Sequence, residues 1–465
     1  MPQYLSPGVY VEEVPSAIKP IAGVSTSTAA FIGVVPDSLD QVLGRKIGAN
    51  VGSGDGSTSV FNLPVYPIDV GSTTVKTDGT VVASATLKND DTNKVSTVTF
   101  TTAPVANSKI TADIIPSFYP VAAGTPKLCT TFSDFKKFFG DFTADSKHSW
   151  LAQAVYGFFN NGGSRCYVMR VVQESDIPKF LVNFEAIDEI AIIAAPGLAQ
   201  NDTTGKNTRT QLIAHAQIRT QNRFVIFDSP AVVETSNALD LTLLDPHSAA
   251  TIVPVNTDFA AFYFPWIQVF DPVSNGPVYT APSGHIAGIY ARVDTQRGVH
   301  KAPANEPVIG ALDLKYSISK AQQDGLNPQG VNCIRNLNGS LTVWGARTMG
   351  GDANADLKYI NVRRTLLFIR KSIDEGTQWV VFEPNEPGLW QKITRNITAF
   401  LTNVWRSGAL FGTTPQEAFY VRCDAETNPP ELRDLGQVVT EIGVAIVRPA
   451  EFVIFRVSQF TTTSA

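Results

Sequence analysis

Cysteine and histidine are scarce in this chain. Its 465 residues hold four cysteines (Cys129, Cys166, Cys333, Cys423) and five histidines (His148, His215, His247, His285, His300). The cysteines lie far apart with no CxxC pair, and no histidine stands at ligand spacing. A secreted disulfide scaffold and a zinc centre are therefore disfavoured, and reduced structural thiols are expected. Charge is sparse too, at 17% of residues; 37 Lys and Arg against 42 Asp and Glu leave a net charge of -5. That balance offers a polyanion no attraction, so no direct nucleic-acid contact is expected. No window approaches the roughly 18 apolar residues of a membrane helix. Met1 to Tyr10, with Pro2, Pro7 and Gly8, lacks the basic start and apolar run of a signal peptide. A soluble, cytosol-made protein without direct membrane insertion is the expectation.

Motifs of catalysis are missing as well. There is no GxxxxGK[ST] loop, no GxSxG, no HExxH, and no GxGxxG between a strand and a helix. Ser283 and His285 stand near Asp271 in sequence, but a triad needs geometry that proximity along the chain does not supply. The runs Gly52-Ser53-Gly54-Asp55-Gly56 and Asn89-Asp90-Asp91-Thr92-Asn93 lack EF-hand spacing and read as hairpin turns. No enzyme activity, cofactor or metal is expected.

What is present is length enough for about three domains and an ordinary 43% of hydrophobic residues. Apolar runs at Thr28–Pro36, Cys166–Val172, Glu189–Pro196, Arg223–Asp228 and Ala260–Val269 alternate with helical segments at Trp150–Asn160, Asn207–Thr220 and Gly284–Asp294. This is the pattern of βαβ units around a largely parallel sheet. The predicted α/β domain covers 21–47 and 119–345. It is interrupted at 48–118 by a Ser/Thr/Val/Gly-rich segment without helical period, read as an inserted all-β sandwich or barrel whose ends lie close together. There, Thr77-Asp78-Gly79-Thr80 predicts a two-residue hairpin, and Val98 and Phe100 alternate with threonines.

Residues 346–448 predict a C-terminal α+β domain. Leu357–Ile373 reads as an amphipathic helix carrying Lys358, Arg363, Arg364, Arg370 and Lys371 with no acid before Asp374. Trp379–Glu383 reads as a strand, and Pro387–Ser407 as a second helix with Leu389, Ile393, Ile397, Phe400, Leu401 and Val404 at three- and four-residue spacing. Ala418–Cys423 and Val438–Arg448 follow as strands. Both chain ends read as extended arms, at 1–20 and 449–465. The first centres on Val9, Tyr10, Val11 and Glu12 between Pro7 and Pro15, the second on Phe452, Val453, Ile454 and Phe455 after Pro449. A lone strand is unstable in water and needs a sheet to join. The fold class is α+β multidomain.

Several segments carry a family resemblance: PGVYVEE (Pro7–Glu13), TAAFIGVV (Thr28–Val35), FNNGGSRCYVMRV (Phe159–Val171), KAPAN (Lys301–Asn305) and LNPQGVNCI (Leu326–Ile334). VWGART (Val343–Thr348), YINVRRTLLFIR (Tyr359–Arg370), FEPNEPGLW (Phe382–Trp390) and AFYVRCD (Ala418–Asp424) extend it in order. The chain resembles contractile tail sheath proteins over nearly all its length outside the insert. The insert resembles a small β module of phage structural proteins. The resemblance implies hexameric rings stacked as a six-start helix around a tail tube, a metastable extended state, and contraction that drives the tube through a host envelope for genome delivery. It implies arms that add strands to neighbouring subunits, a C-terminal sheath core on the tube side, and an insert on the outer surface. Implied partners are further copies of this chain, the tail tube protein, and baseplate and tail terminator proteins. The implied location is the virion tail, assembled in the host bacterial cytoplasm. The sheath of a phage-derived injection system or R-type bacteriocin is the alternative, and an α/β-fold enzyme a remote one. Arg363, Arg364, Arg370 and Lys371 are expected at tube-facing or intersubunit charge contacts.

Overall fold

Residues rich in Val, Ile, Phe and Ala, fenced by Gly and Pro, build the central sheet. The computed structural model describes residues 20–35, 46–115 apart from 67, 91 and 94, 121–245 apart from 199 and 201, and 256–454. Six strands run parallel: β1 (Ala29–Val34), β2 (Cys166–Val171), β3 (Ile192–Ala194), β4 (Phe224–Asp228), β5 (Ala260–Phe264) and β6 (Val331–Leu337), in the order β2-β1-β3-β4-β5-β6. Antiparallel strands extend both sides, Lys127–Cys129 beside β2 and Ser340–Val343 then Glu306–Pro307 beyond β6, making nine. β1, β3, β4 and β5 are buried at every position, which is why they read as apolar runs, broken only by Asp228 at the end of β4.

Helices α1 (Ser146–Asn160), α2 (Thr203–Ala214) and α3 (Ser283–Arg297) belong to the same unit. Phe158 of α1 meets Phe31 of β1 edge to face at 5.5 Å, both fully buried. Burial of each such ring contributes about 2–3 kcal/mol. α1 and α3 approach so closely that a Cβ at Gly284 would lie 2.3 Å from the backbone of Ala154; only glycine fits there.

One expected strand divides. Ala260–Val269 was a single run in the sequence, but Pro265 offers no amide donor, and the chain resumes at Ile267–Asp271 in a separate antiparallel sheet with Gly276–Thr280 and Ala311–Leu314.

Between β1 and α1 the chain forms two antiparallel sheets. Four strands (Lys46–Ser53, Thr74–Thr77, Thr80–Val81, Lys109–Ile114) make one and three (Val60–Asn62, Thr86–Asp90, Val95–Thr99) the other. They enclose a core of their own, including Val75, Val98, Phe100 and Ile110. Thr77 pairs with Thr80 across Asp78 (φ 49°) and Gly79 (φ 81°), so the Asp-Gly turn has positive φ at both central residues. Lys46 pairs with Ile114, so the segment begins and ends on neighbouring strands.

A second unit holds Ile369–Val447 and the described residues up to Val24; the first holds Ser25–Phe368 and those from Arg448 on. The division falls inside helix α4 (Ile360–Gly376). In the second unit α5 (Pro387–Arg406) buries Leu389, Ile393, Ile397, Phe400, Leu401 and Val404, the stripe its spacing predicts. Strands β7 (Phe419–Arg422) and β8 (Glu441–Val444) form a two-stranded antiparallel sheet. The strand expected at Trp379–Glu383 is not formed. Gln378–Val380 is a 3-10 turn, and Phe382 follows fully exposed at φ 68°. Among the described residues this apolar run has no partner strand and so no ladder to join.

Candidate functional site

The segments with functional expectations are the two arms and the basic helix. Val9, Tyr10, Val11, Glu12 and Phe455 lie outside the described residues. Phe452, Val453 and Ile454 are described, and they form no strand; they are 71%, 68% and 79% exposed. Three consecutive large apolar side chains at that exposure are not sheltered by the described residues of their own chain.

The residue before them is held firmly. Glu451 Oε1 accepts from Arg347 Nε at 2.8 Å and Asn327 Nδ2 at 2.7 Å; its Oε2 accepts from Arg347 Nη2 at 2.8 Å and the Tyr359 hydroxyl at 2.9 Å. Burial alone would raise this carboxyl, but the bonds from Arg347, Asn327 and Tyr359 outweigh it and hold the pKa below the usual range. Arg347 is 3% exposed. It also donates through Nη1 to Asp352 and to the Asn327 carbonyl, both at 3.1 Å. Its backbone is fixed on both sides by Asn332, whose side chain accepts from Arg347 N–H and donates to Arg347 O, each at 2.8 Å. Sequence reasoning missed Glu451 as a site. The signal was in view, because Asn327, Arg347 and Tyr359 all belong to segments that carry the family resemblance. Their convergence is tertiary and no spacing reveals it.

The basic helix required correction. α4 does not present four cations outward, because Arg363, Arg364 and Lys371 are buried. Arg363 Nε lies 3.3 Å from Asp258, with its guanidinium 3.6 Å from the Phe259 ring centroid. Arg364 forms two bonds to Asp294, donates to Thr26 O at 2.9 Å, and stacks 4.7 Å from the Tyr290 ring centroid. Thr26 Oγ1 donates to Asp294 Oδ2 at 2.6 Å. Lys371 lies 3.6 Å from Glu375. The acids missing from the helix between Leu357 and Ile373 come mostly from other elements. Of the four expected residues, Arg370 is the exposed one.

At the carboxyl ends of the parallel strands, where doubly wound sheets bind ligands, the chain places a carboxyl group of its own. Asp228, at the end of β4, accepts from Ser283 N–H at 2.7 Å, Ser283 Oγ at 2.6 Å and Gly197 N–H at 3.3 Å. Burial pushes this carboxyl up to about 7 against those bonds. It occupies the amino end of α3, the place an anion would take. Ser283, His285 and Asp271 are not assembled into a triad: Ser283 serves Asp228, Asp271 accepts from Ser274, and His285 packs against Gly157. Burial takes His285 down to about 4. Among the described residues no group of three or more His, Cys, Asp or Glu is placed to hold a metal. Among the same described residues no helix is long and apolar enough to cross a membrane.

Comparison with known proteins gives matches along most of the chain. Residues 171–349 match the phage tail sheath protein central domain and residues 352–460 the phage tail sheath C-terminal domain. The tail sheath protein of Vibrio phage KVP40 is 26% identical over 230 residues, 48% of this chain and 33% of that protein. The tail sheath protein of Burkholderia phage BcepMu is 26% identical over 204 residues, 42% of each. The matched part thus spans a third to two-fifths of these relatives' own length. Among solved structures, the sheath complex of the extracellular contractile injection system PVC in its contracted state has a TM-score of 0.66 at 23% identity, covering 99% of both chains. The helical sheath of the anti-feeding prophage, also contracted, has a TM-score of 0.64 at 24% identity, covering 98% of this chain and 99% of that one. Both show the same fold. With adjoining central and C-terminal domains matched from 171 to 460, the chain belongs to the phage tail sheath protein family.

Proposed function

We propose that the chain is the subunit of a contractile phage tail sheath. It polymerises as stacked hexameric rings in a six-start helix around the tail tube, is held in a metastable extended state, and contracts to drive the tube through the host envelope for genome delivery. The observation that carries this reading is the exposed, strandless run Phe452–Ile454 directly after the anchored Glu451. A matching need exists in β7 and β8, which have no third strand among the described residues. Strand addition from a neighbouring copy supplies main-chain hydrogen bonds and covers apolar side chains at once. Contacts of this head-to-tail kind close into rings or propagate as helices. The sequence offers no nucleotide loop, so the stroke draws on energy stored at assembly, in an extended state trapped above the contracted one.

In this reading the C-terminal domain expected at 346–448 faces the tail tube, the insert expected at 48–118 lies on the outer surface, and baseplate and tail terminator proteins bound the polymer at its ends in the virion tail, after assembly in the bacterial cytoplasm. The tube-facing or intersubunit charge contact falls to Arg370, the exposed one of the four. The test is deletion of Met1–Ser16, or of the tail from Phe452, which keeps Glu451. Folded monomers without hollow tubes in negative-stain images are expected; normal sheaths from both deletions overturn the reading. Capsid and terminase genes beside this one are expected for a virion, and their absence would favour an injection particle.

A further inference from the structure

The anchoring of Glu451 goes beyond what strand exchange requires, since a strand can be exchanged from a loose tail. Here one carboxylate takes four hydrogen bonds from three side chains, two of them from the parallel fork of Arg347. Bidentate pairs of this kind fix direction as well as position. Arg347 is itself immobilised by Asn332 and Asp352, and Arg448 pairs with Asp356 at 2.6 Å three residues earlier. One residue later the chain is exposed and makes no ladder. The change from fixed to unsupported therefore happens within a single peptide unit. The other end of the chain has a parallel device: Thr26 is gripped by the Arg364–Asp294 pair through both its carbonyl and its hydroxyl.

We infer that Glu451, held by Arg347, Asn327 and Tyr359, is the positioning residue that sets the direction in which the C-terminal arm leaves the body, so that a neighbouring copy meets it already aimed. This rests on the arm reading above. A flexible root would let the arm sample many directions, and the apparent affinity for a neighbour falls by the fraction of time the arm is correctly placed. Fixing the root removes that loss without adding a contact to the interface. Arg347, whose guanidinium holds Glu451, is bonded through its own backbone to Asn332 of β6, so the root of the arm is tied to the central sheet.

The experiment uses the full chain with a nitroxide at Ile454→Cys, the four native cysteines being buried. Glu451→Gln removes the charge that Arg347 grips. Tyr359→Phe removes one bond and leaves no charge unpaired, so it serves if the first variant folds poorly. Both are expected to raise label mobility in the monomer. Unlabelled, Glu451→Gln is expected to raise the critical concentration for polymerisation about tenfold and Tyr359→Phe by less, with the unfolding midpoint of Tyr359→Phe unchanged. If mobility is unchanged in both, the inference is wrong. It is equally wrong if mobility rises while the critical concentration stays put and the deletion from Phe452 abolishes tubes. Should that deletion polymerise normally, the arm reading itself has failed, and label mobility alone then judges whether Glu451 positions the arm.

Discussion

Arg364 and Asp294 face each other through two hydrogen bonds of 2.8 and 2.6 Å, with both side chains only 4% exposed. Burial disfavours the guanidinium charge, yet Asp294, Tyr290 and Tyr263 raise its pKa on balance. Removing one partner of such a pair leaves an uncompensated buried charge. Asp294→Ala is expected to destabilise the monomer by about 3–5 kcal/mol in denaturant unfolding. Asp294→Leu combined with Arg364→Met is expected to be milder than either single change.

Acid sensitivity follows from two histidines. Arg223 Nη1 donates to His215 Nε2 at 2.8 Å, and Arg223 is fully buried, so this ring must stay neutral to accept. Burial, then Arg223 and Arg219, take His215 down to about 4, even with Glu185 3.8 Å from Nδ1; burial does the same to His285. An unfolded histidine binds its proton near pH 6.5, so the unfolded state gains protons first as pH falls. Stability is full above about 6.5 and is lost on acidification towards 4, by up to about 3 kcal/mol per ring. Unfolding free energies at pH 7 and pH 4.5 check this, and His215→Gln should flatten part of the slope.

Close helix packing gives a third expectation. Gly284→Ala sets a methyl against the backbone of Ala154, which no rotamer change relieves. A loss of about 3 kcal/mol or more is expected, read as a lower unfolding midpoint with unchanged denaturant slope.

The segment 46–114 has its own core, and its first and last residues pair. Replacing it by a short Gly-Ser link is expected to leave the unfolding of the remaining chain within about 1 kcal/mol and to spare tube formation, because closing so small a gap changes loop entropy little. Calorimetry and negative-stain imaging decide it.

The sequence carried the sheet well because buried parallel strands present near-continuous apolar runs, as at Phe224–Phe227, and no alternation is needed to find them. It carried α5 because a stripe at helical spacing is a local pattern. It failed where the answer was non-local. The acids for Arg363 and Arg364 stand at 258 and 294, far outside any window around the helix, so the helix looked like a bare cationic face. Glu451 looked like one more residue of an arm, because nothing near it in sequence shows that three separate segments close on its carboxylate. Trp379–Glu383 had the composition of a strand, but a strand is defined by its neighbour, and this one has none among the described residues.

Asp228 shows what kind of body this fold makes. A doubly wound sheet that leaves the amino end of a helix open can answer to whatever small anion comes and goes there. In this chain the helix is stoppered by a carboxyl group of the adjoining strand, so its alignment is permanent and indifferent to cargo. Such a helix carries its own stopper, and nothing small has to arrive or depart for that corner of the sheet to keep its form.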